Sequence, residues 1–223
     1  MVDSRDVTKA IAAEIWPKLR EQGFESIQGR VARRTHADRV DILEFNSFNS
    51  YEQERLKLKP GSFAIGLGCH LKYVANPIAD STGKVIVLTK PSTADCMLRG
   101  QLRRRNLRPI GLDRGVWAVG LMGLPLEKVM SGARDAVLNE GMPWFEQFES
   151  PAAVFALLEE REEHMSRLWG FGRPGSPIRH FILGYSALAA GESLTARKHL
   201  QQALDTGCFS GHAARMRADA GMP

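Results

Sequence analysis

Between Gly61 and Val74 the chain alternates without a break. Phe63, Ile65, Leu67, Cys69, Leu71 and Tyr73 stand at odd positions, and Ser62, Ala64, Gly66, Gly68, His70 and Lys72 at even ones. A period of two belongs to an extended strand, whose successive side chains point to opposite faces. The stretch is therefore a strand with a large apolar face and a small, glycine-bearing one. Such a strand needs partner strands for its backbone and a cover for its apolar face, so an all-helical fold is excluded.

The partners are shorter. Arg30 to Thr35 and Arg39 to Phe45 read as a hairpin joined by His36, Ala37 and Asp38, with the buried face of the second run ambiguous because Ile42 and Leu43 point opposite ways. Val85 to Thr89, the set Cys96, Leu98 and Leu102, and Val116 to Val119 supply further candidates, with turns at Asn76-Pro77 and Asp80 to Gly83. Helical spacing marks the flanks. Val7, Ile11, Ile15 and Leu19 predict an amphipathic helix capped by Asp6, stopped by Gly23 and weakened by Pro17. Two more helices are predicted over Leu126 to Asn139 and Ala152 to Trp169. Grouped strands followed by grouped helices indicate an α+β fold, a mainly antiparallel sheet packed against helices.

Arg173-Pro174-Gly175-Ser176-Pro177 cannot continue a helix and divides the chain into residues 1–172, an α+β domain, and 173–223, a C-terminal helical hairpin with a tail. The hairpin is predicted from Ile178 to Ala190 and Leu194 to Asp205, joined at Gly191-Glu192-Ser193, and the tail from Ser210 adds a frayed helix.

The hydrophobic share of 43% and charged share of 25% over 223 residues are those of a folded chain. A net charge of +5 favours anionic partners: nucleic acid, acidic proteins or anionic membrane surfaces. Cys69, Cys96 and Cys208 cannot all pair and form no CxxC, which predicts reduced thiols. The first residues lack the apolar centre of a secretory signal, and the apolar stretch Val116 to Leu126 is broken by Gly120, Gly123 and Pro125 and is too short to span a bilayer. A cytoplasmic protein with no membrane segment is the expectation.

The string AIAAEIWPKLREQGF, the strand GSFAIGLGCHL, the segment DCMLRGQLRRR, the VWAV run and EGMPWFEQFESPAAVFALLEE occur in an order that resembles the uncharacterised bacterial family catalogued as domain of unknown function 4304. The likeness covers about residues 5 to 165 and implies a fold but no catalytic residue. A second likeness, to a single tetratricopeptide-type helix pair, rests on Leu183-Gly184, Ala187, Ala196, Leu200 and Ala203; His180 departs from that pattern and its late proline is missing. One such pair cannot bury its own face. It therefore packs on the preceding helix or on a partner.

Candidate chemistry falls in three places. Arg99, Arg103, Arg104, Arg105, Arg108 and Arg114 form a basic stretch suited to phosphate, which Arg30, Arg33, Arg34 and Arg39 could widen; the alternative is a surface paired with Glu159, Glu160, Glu162 and Glu163. Gly66, Gly68 and His70 share the small face of the long strand and make a candidate pocket. The dinucleotide fingerprint, however, needs a third glycine and a following helix, so no cofactor is implied. Trp144, Phe145 and Phe148 read either as a surface anchor or as a seal on the core. The six histidines show no metal-ligand spacing, and no catalytic motif marks a nucleophile. The leading expectation is a non-enzymatic binding or adaptor protein with a protein partner. A nucleic-acid-associated protein using the arginines, and an enzyme with a pocket on the glycine-lined face, are the alternatives. The sequence specifies no oligomeric state.

Overall fold

A computed structural model describes residues 2–74, 89–104, 115–120, 125–159, 168–173 and 175–222. The α+β reading holds. The strands β1 (Ser26–Gln28), β2 (Val31–Thr35), β3 (Arg39–Ser47), β4 (Phe63–Leu71), β5 (Leu98–Leu102), β6 (Val116–Trp117) and β7 (Trp169–Gly170) form one sheet in the order β1-β2-β3-β4-β5-β7, with β6 also pairing β4. Three of its pairings are antiparallel: β1 with β2, β4 with β6, where Phe63 faces Trp117, and β5 with β7, where Leu98 faces Gly170. The chain groups into two compact units, one of residues 1–35, 41–68 and 100–145, the other of 36–40, 69–99 and 146–223.

In the first unit the N-terminal helix is two helices, α1 (Ser4–Glu14) and α2 (Trp16–Glu21). Pro17 has no N–H to continue the ladder, so a second helix starts around it. The cap is Asp3 rather than the expected Asp6. Its carboxylate accepts the N–H groups of Arg5 and Asp6 at 2.7 and 2.9 Å, and the Asp6 carboxylate returns a bond to the Asp3 N–H at 3.0 Å. Gly23, at φ 83°, ends α2, and the Phe24 N–H reaches back to the Leu19 carbonyl at 3.0 Å.

Helix α3 (Ser50–Arg55) lies in what reads as a polar link, and α4 (Leu126–Ala136) packs on α1. Residues Val137–Gly141 then form a π-helical turn before α5 (Met142–Glu146). Pro143, inside α5, cannot donate to the carbonyl four residues back and its ring crowds that carbonyl, which accounts for the widened turn ahead of it. The core of this unit is an aromatic chain: Trp16 to Phe45 at 5.4 Å, Phe45 to Phe63 at 5.6 Å, and Phe63 parallel to Trp117 at 6.3 Å. Trp144 and Phe145 are buried within it, and Phe148 is buried also, so these rings seal cores and do not anchor a partner.

The second unit is built on helices. α6 (Pro151–Glu159) packs on α7 (Arg179–Ala189), α7 on α8 (Ser193–Asp205), and α8 on α9 (Ala213–Ala220). Seven successive residues of α7, Phe181 to Ala187, are buried, which makes it the central helix of this layer. The choice left open by the sequence is thereby decided, because the helix pair docks on the preceding helix.

Two further expectations are corrected. The helix predicted to reach Trp169 does not, since Trp169–Gly170 is strand β7 and Gly170 takes φ 94°, which no helix accommodates. The tail is an ordered helix and not a frayed one. Met216 and Ala220 are buried against its neighbours, Asp219 accepts the Tyr185 hydroxyl at 2.9 Å, and Gly221 closes it at φ 60°. Val85 to Leu88 and Asn76 to Gly83 lie outside the described residues.

Candidate functional site

Both faces of β4 are covered at most positions. The odd face is closed, with Phe63, Ile65, Cys69 and Leu71 without solvent exposure and Leu67 nearly so. On the even face Ala64 and Gly68 are buried, and Gly66 and His70 are half-buried. The glycine-bearing face is thus partly shielded from solvent. His70 is the polar group there. Its Nδ1 is sealed from solvent and has no hydrogen-bond partner among the described residues, and burial pulls the imidazole below its ordinary range while the charge of Asp95 works against that pull.

Asp95 is the residue that sequence reasoning missed. It ends a single turn of 3₁₀ helix, Thr93–Asp95, and its carboxylate accepts both the N–H and the hydroxyl of Ser92, at 2.8 and 2.6 Å. Those bonds hold it below the usual carboxylate range although partial burial opposes them. The signal was in the sequence as Ser92-Thr93-Ala94-Asp95, a hydroxyl and a carboxylate three residues apart, the spacing of a capping box. The turn sets a negative charge within electrostatic range of an imidazole that has an unspent nitrogen. Cys96 is no third member of this set, since it is buried and its thiol donates to the Ser92 carbonyl at 3.3 Å.

Several of the described arginines read as part of a phosphate patch are engaged by the protein itself. Arg30 donates to the Thr8 hydroxyl, the Ser47 hydroxyl, and the carbonyl and hydroxyl of Ser4, at 2.6 to 3.0 Å. Arg34 binds the buried Asp41 carboxylate through Nε and Nη2 at 2.9 and 2.8 Å, donates to the Gln22 carbonyl, and lies over the rings of Phe24 and Phe145. Arg39 is itself buried. Arg99 donates to the Cys96 carbonyl at 2.8 Å and lies over Phe171 at 5.3 Å. Arg103 is exposed and Arg104 half-buried, just past the end of β5. Arg105, Arg108 and Arg114, and the glutamates Glu160, Glu162 and Glu163, lie outside the described residues. The half-buried guanidiniums of Arg30, Arg34 and Arg99 thus spend donors on protein acceptors.

The helix pair offers a different surface. Leu194, in the first turn of α8, is 80% exposed, and with Tyr51 it is one of two large apolar side chains so exposed among the described residues. Arg197, Lys198 and Gln201 follow it at helical spacing and are exposed as well. Arg197 is partly tied, donating to the Ala220 carbonyl at 2.8 Å. Inside the pair, Gly184 admits Leu200: a side-chain carbon on Gly184 would stand 2.5 Å from Leu200 Cγ.

Among the described residues no group of three or more histidines, cysteines or carboxylates is placed to hold a metal ion, and no helix is long and apolar enough to cross a membrane. No known protein family matches the chain. No curated protein and no solved structure matches it either.

Proposed function

We propose that the protein is a binding or adaptor protein that recruits an acidic protein partner through the outer face of α8. The observation that carries this reading is the exposed row Leu194, Arg197, Lys198 and Gln201, an apolar residue beside two cations on a helix whose inner face is fully packed. A helix with this pattern fits a partner that offers an apolar recess rimmed by carboxylates, where the buried side chain supplies affinity and the charges supply orientation and speed of association. The net charge of +5 acts in the same direction. The resemblance to domain of unknown function 4304 brings no activity to this reading, and the likeness to a tetratricopeptide pair is compatible with it.

Truncation before α7 would uncover α6 and is therefore uninformative. The test is the surface variant Leu194→Asp with Lys198→Glu, used with the unaltered chain in affinity capture from the native host after nuclease treatment, with captured protein quantified. Loss of a stoichiometric protein partner at unchanged melting temperature is the expected result. Equal capture by both chains would remove α8 from the function.

A second reading has one observation in its favour. The Nδ1 of His70, without a hydrogen-bond partner among the described residues and within the electrostatic reach of Asp95, is the arrangement from which an imidazole could take or give a proton to a small molecule. Its test is a ligand screen by thermal shift. A ligand whose stabilisation disappears in His70→Phe supports a pocket on that face, and a ligand indifferent to the substitution argues against it.

A further inference from the structure

His180 in the first turn of α7 and His199 on α8 are brought together by helix packing. Their Nδ1 atoms are 3.1 Å apart, their ring centroids 5.4 Å, and their planes within 22° of one another. The difference between the two separations is what two ring radii supply, so both nitrogens lie on the line joining the ring centres. The rings meet head-on in nearly one plane, the geometry of an N–H pointing at a lone pair.

At that separation one Nδ1 carries the hydrogen and the other accepts it. Glu159 at the end of α6 settles which: its Oε1 lies 3.6 Å from His199 Nε2, and its negative charge favours a hydrogen on that nitrogen. His199 Nδ1 is then the acceptor and His180 Nδ1–H the donor. The Phe155 ring of α6 and the His199 ring make a T-shaped contact with centroids 6.1 Å apart, so three helices converge on this imidazole.

We propose that His180 and His199 form a proton-operated latch between α7 and α8, closed while the pair holds no more than one extra proton and opened by the second. With one extra proton the bond survives, because an imidazolium donates to a neutral ring and the bond gains from the charge. The second proton puts a hydrogen on each Nδ1 and a positive charge on each ring. No acceptor is left on the line between them, and the packed helices cannot keep the rings in place.

The groups facing the pair act on it in both directions. Burial and the adjoining His180 hold His199 below the ordinary imidazole range, Lys198 adds to that depression, and Glu159 opposes it. Arg179, next to His180 on α7, is turned to the carbonyls of Gly172 and Leu158. A depressed histidine binds fewer protons folded than unfolded, so the packing is intact above the ordinary imidazole value of 6.5 and is lost as the pH falls through the lower, folded value. The latch stands on the packing of the second unit alone and does not depend on the partner reading.

The experiment is a pH titration of the histidine ring signals by NMR in the full chain, paired with amide exchange corrected for its intrinsic pH dependence. The pair is expected to take up its two extra protons in two separate steps rather than one. Across the lower step, protection of α7 and α8 amides is expected to fall about tenfold while α1 is unchanged. His180→Phe, which keeps a ring and removes the proton, is expected to abolish that fall. Independent titration of both rings at the ordinary value, protection that does not change, or a fall that persists in His180→Phe would each overturn the latch. If His180→Phe does not fold, the titration of the unaltered chain decides.

Discussion

The indole of Trp144 occupies the space where Gly100 would carry a side chain: a Cβ on Gly100 would stand 2.9 Å from both Cε2 and Nε1 of the ring. Gly100 sits in β5 and is buried, so it is a recess in the sheet and Trp144 is what fills it. Gly100→Ala is therefore expected to destabilise the protein by about 1–3 kcal/mol through overpacking. Urea unfolding at neutral pH measures this. Adding Trp144→Phe should return part of the loss, and a fully additive double variant would show that the two residues do not share the space.

Gly184 and Leu200 stand in the same relation inside the helix pair. Gly184→Ala would force Leu200 away, because the new carbon would also come within 3.1 Å of the Leu200 backbone nitrogen, which cannot turn aside. The expected cost is again about 1–3 kcal/mol, and amide exchange should place it in α7 and α8 rather than in α1. Uniform loss of protection throughout the chain would mean that the helix pair has no stability of its own.

Asp41 has no solvent exposure, and Arg34 neutralises it at 2.8 Å. Removing the arginine alone, as Arg34→Met, takes the guanidinium away from a fully buried carboxylate and is expected to cost up to about 3–5 kcal/mol. Arg34→Met with Asp41→Leu should cost less than Arg34→Met alone. Thermal unfolding of the three variants tests the coupling, and an unchanged melting temperature in Arg34→Met would contradict it.

His70 predicts a pH effect of definite sign. Its folded value is depressed mainly by burial, so the unfolded chain takes up the proton first and stability declines as the pH drops below 6.5. In His70→Phe the dependence of urea stability on pH between about 7.5 and 5 should be shallower than in the unaltered chain. An equal slope would show that His70 keeps its ordinary affinity for protons in the fold.

The long strand was readable because its signal is strictly periodic from Phe63 to Tyr73, and the helix pair because Gly191 and the small residues around it punctuate two apolar runs. Strands β1 and β7 were not. Ser26–Gln28 and Trp169–Gly170 are too short to show a period, and they are held by pairing with strands that follow or lie far away in the chain. The ambiguity at Ile42 and Leu43 had a physical origin, since both are fully buried and that stretch of β3 has no solvent face from which a pattern could arise. Arg30 and Arg34 looked like part of a charged surface because a sequence does not show that Ser4, Asp41 and Gln22 come to meet them. Likewise, the stretch of chain between His180 and His199 conceals a contact that exists only after α7 and α8 fold back on each other.

A sheet that ended in long, regular strands would present rows of unsatisfied amide and carbonyl groups to any other chain in solution. Here the strand order begins with the three residues Ser26–Gln28 and ends with the two residues Trp169–Gly170, the last bent out of strand geometry at φ 94°. Among the described residues, the strands at the two ends of this order offer a foreign strand only two or three backbone positions, too few to register and propagate. Pairing of another chain onto β1 or β7 is disfavoured by the same shortness that made these two strands invisible in the sequence.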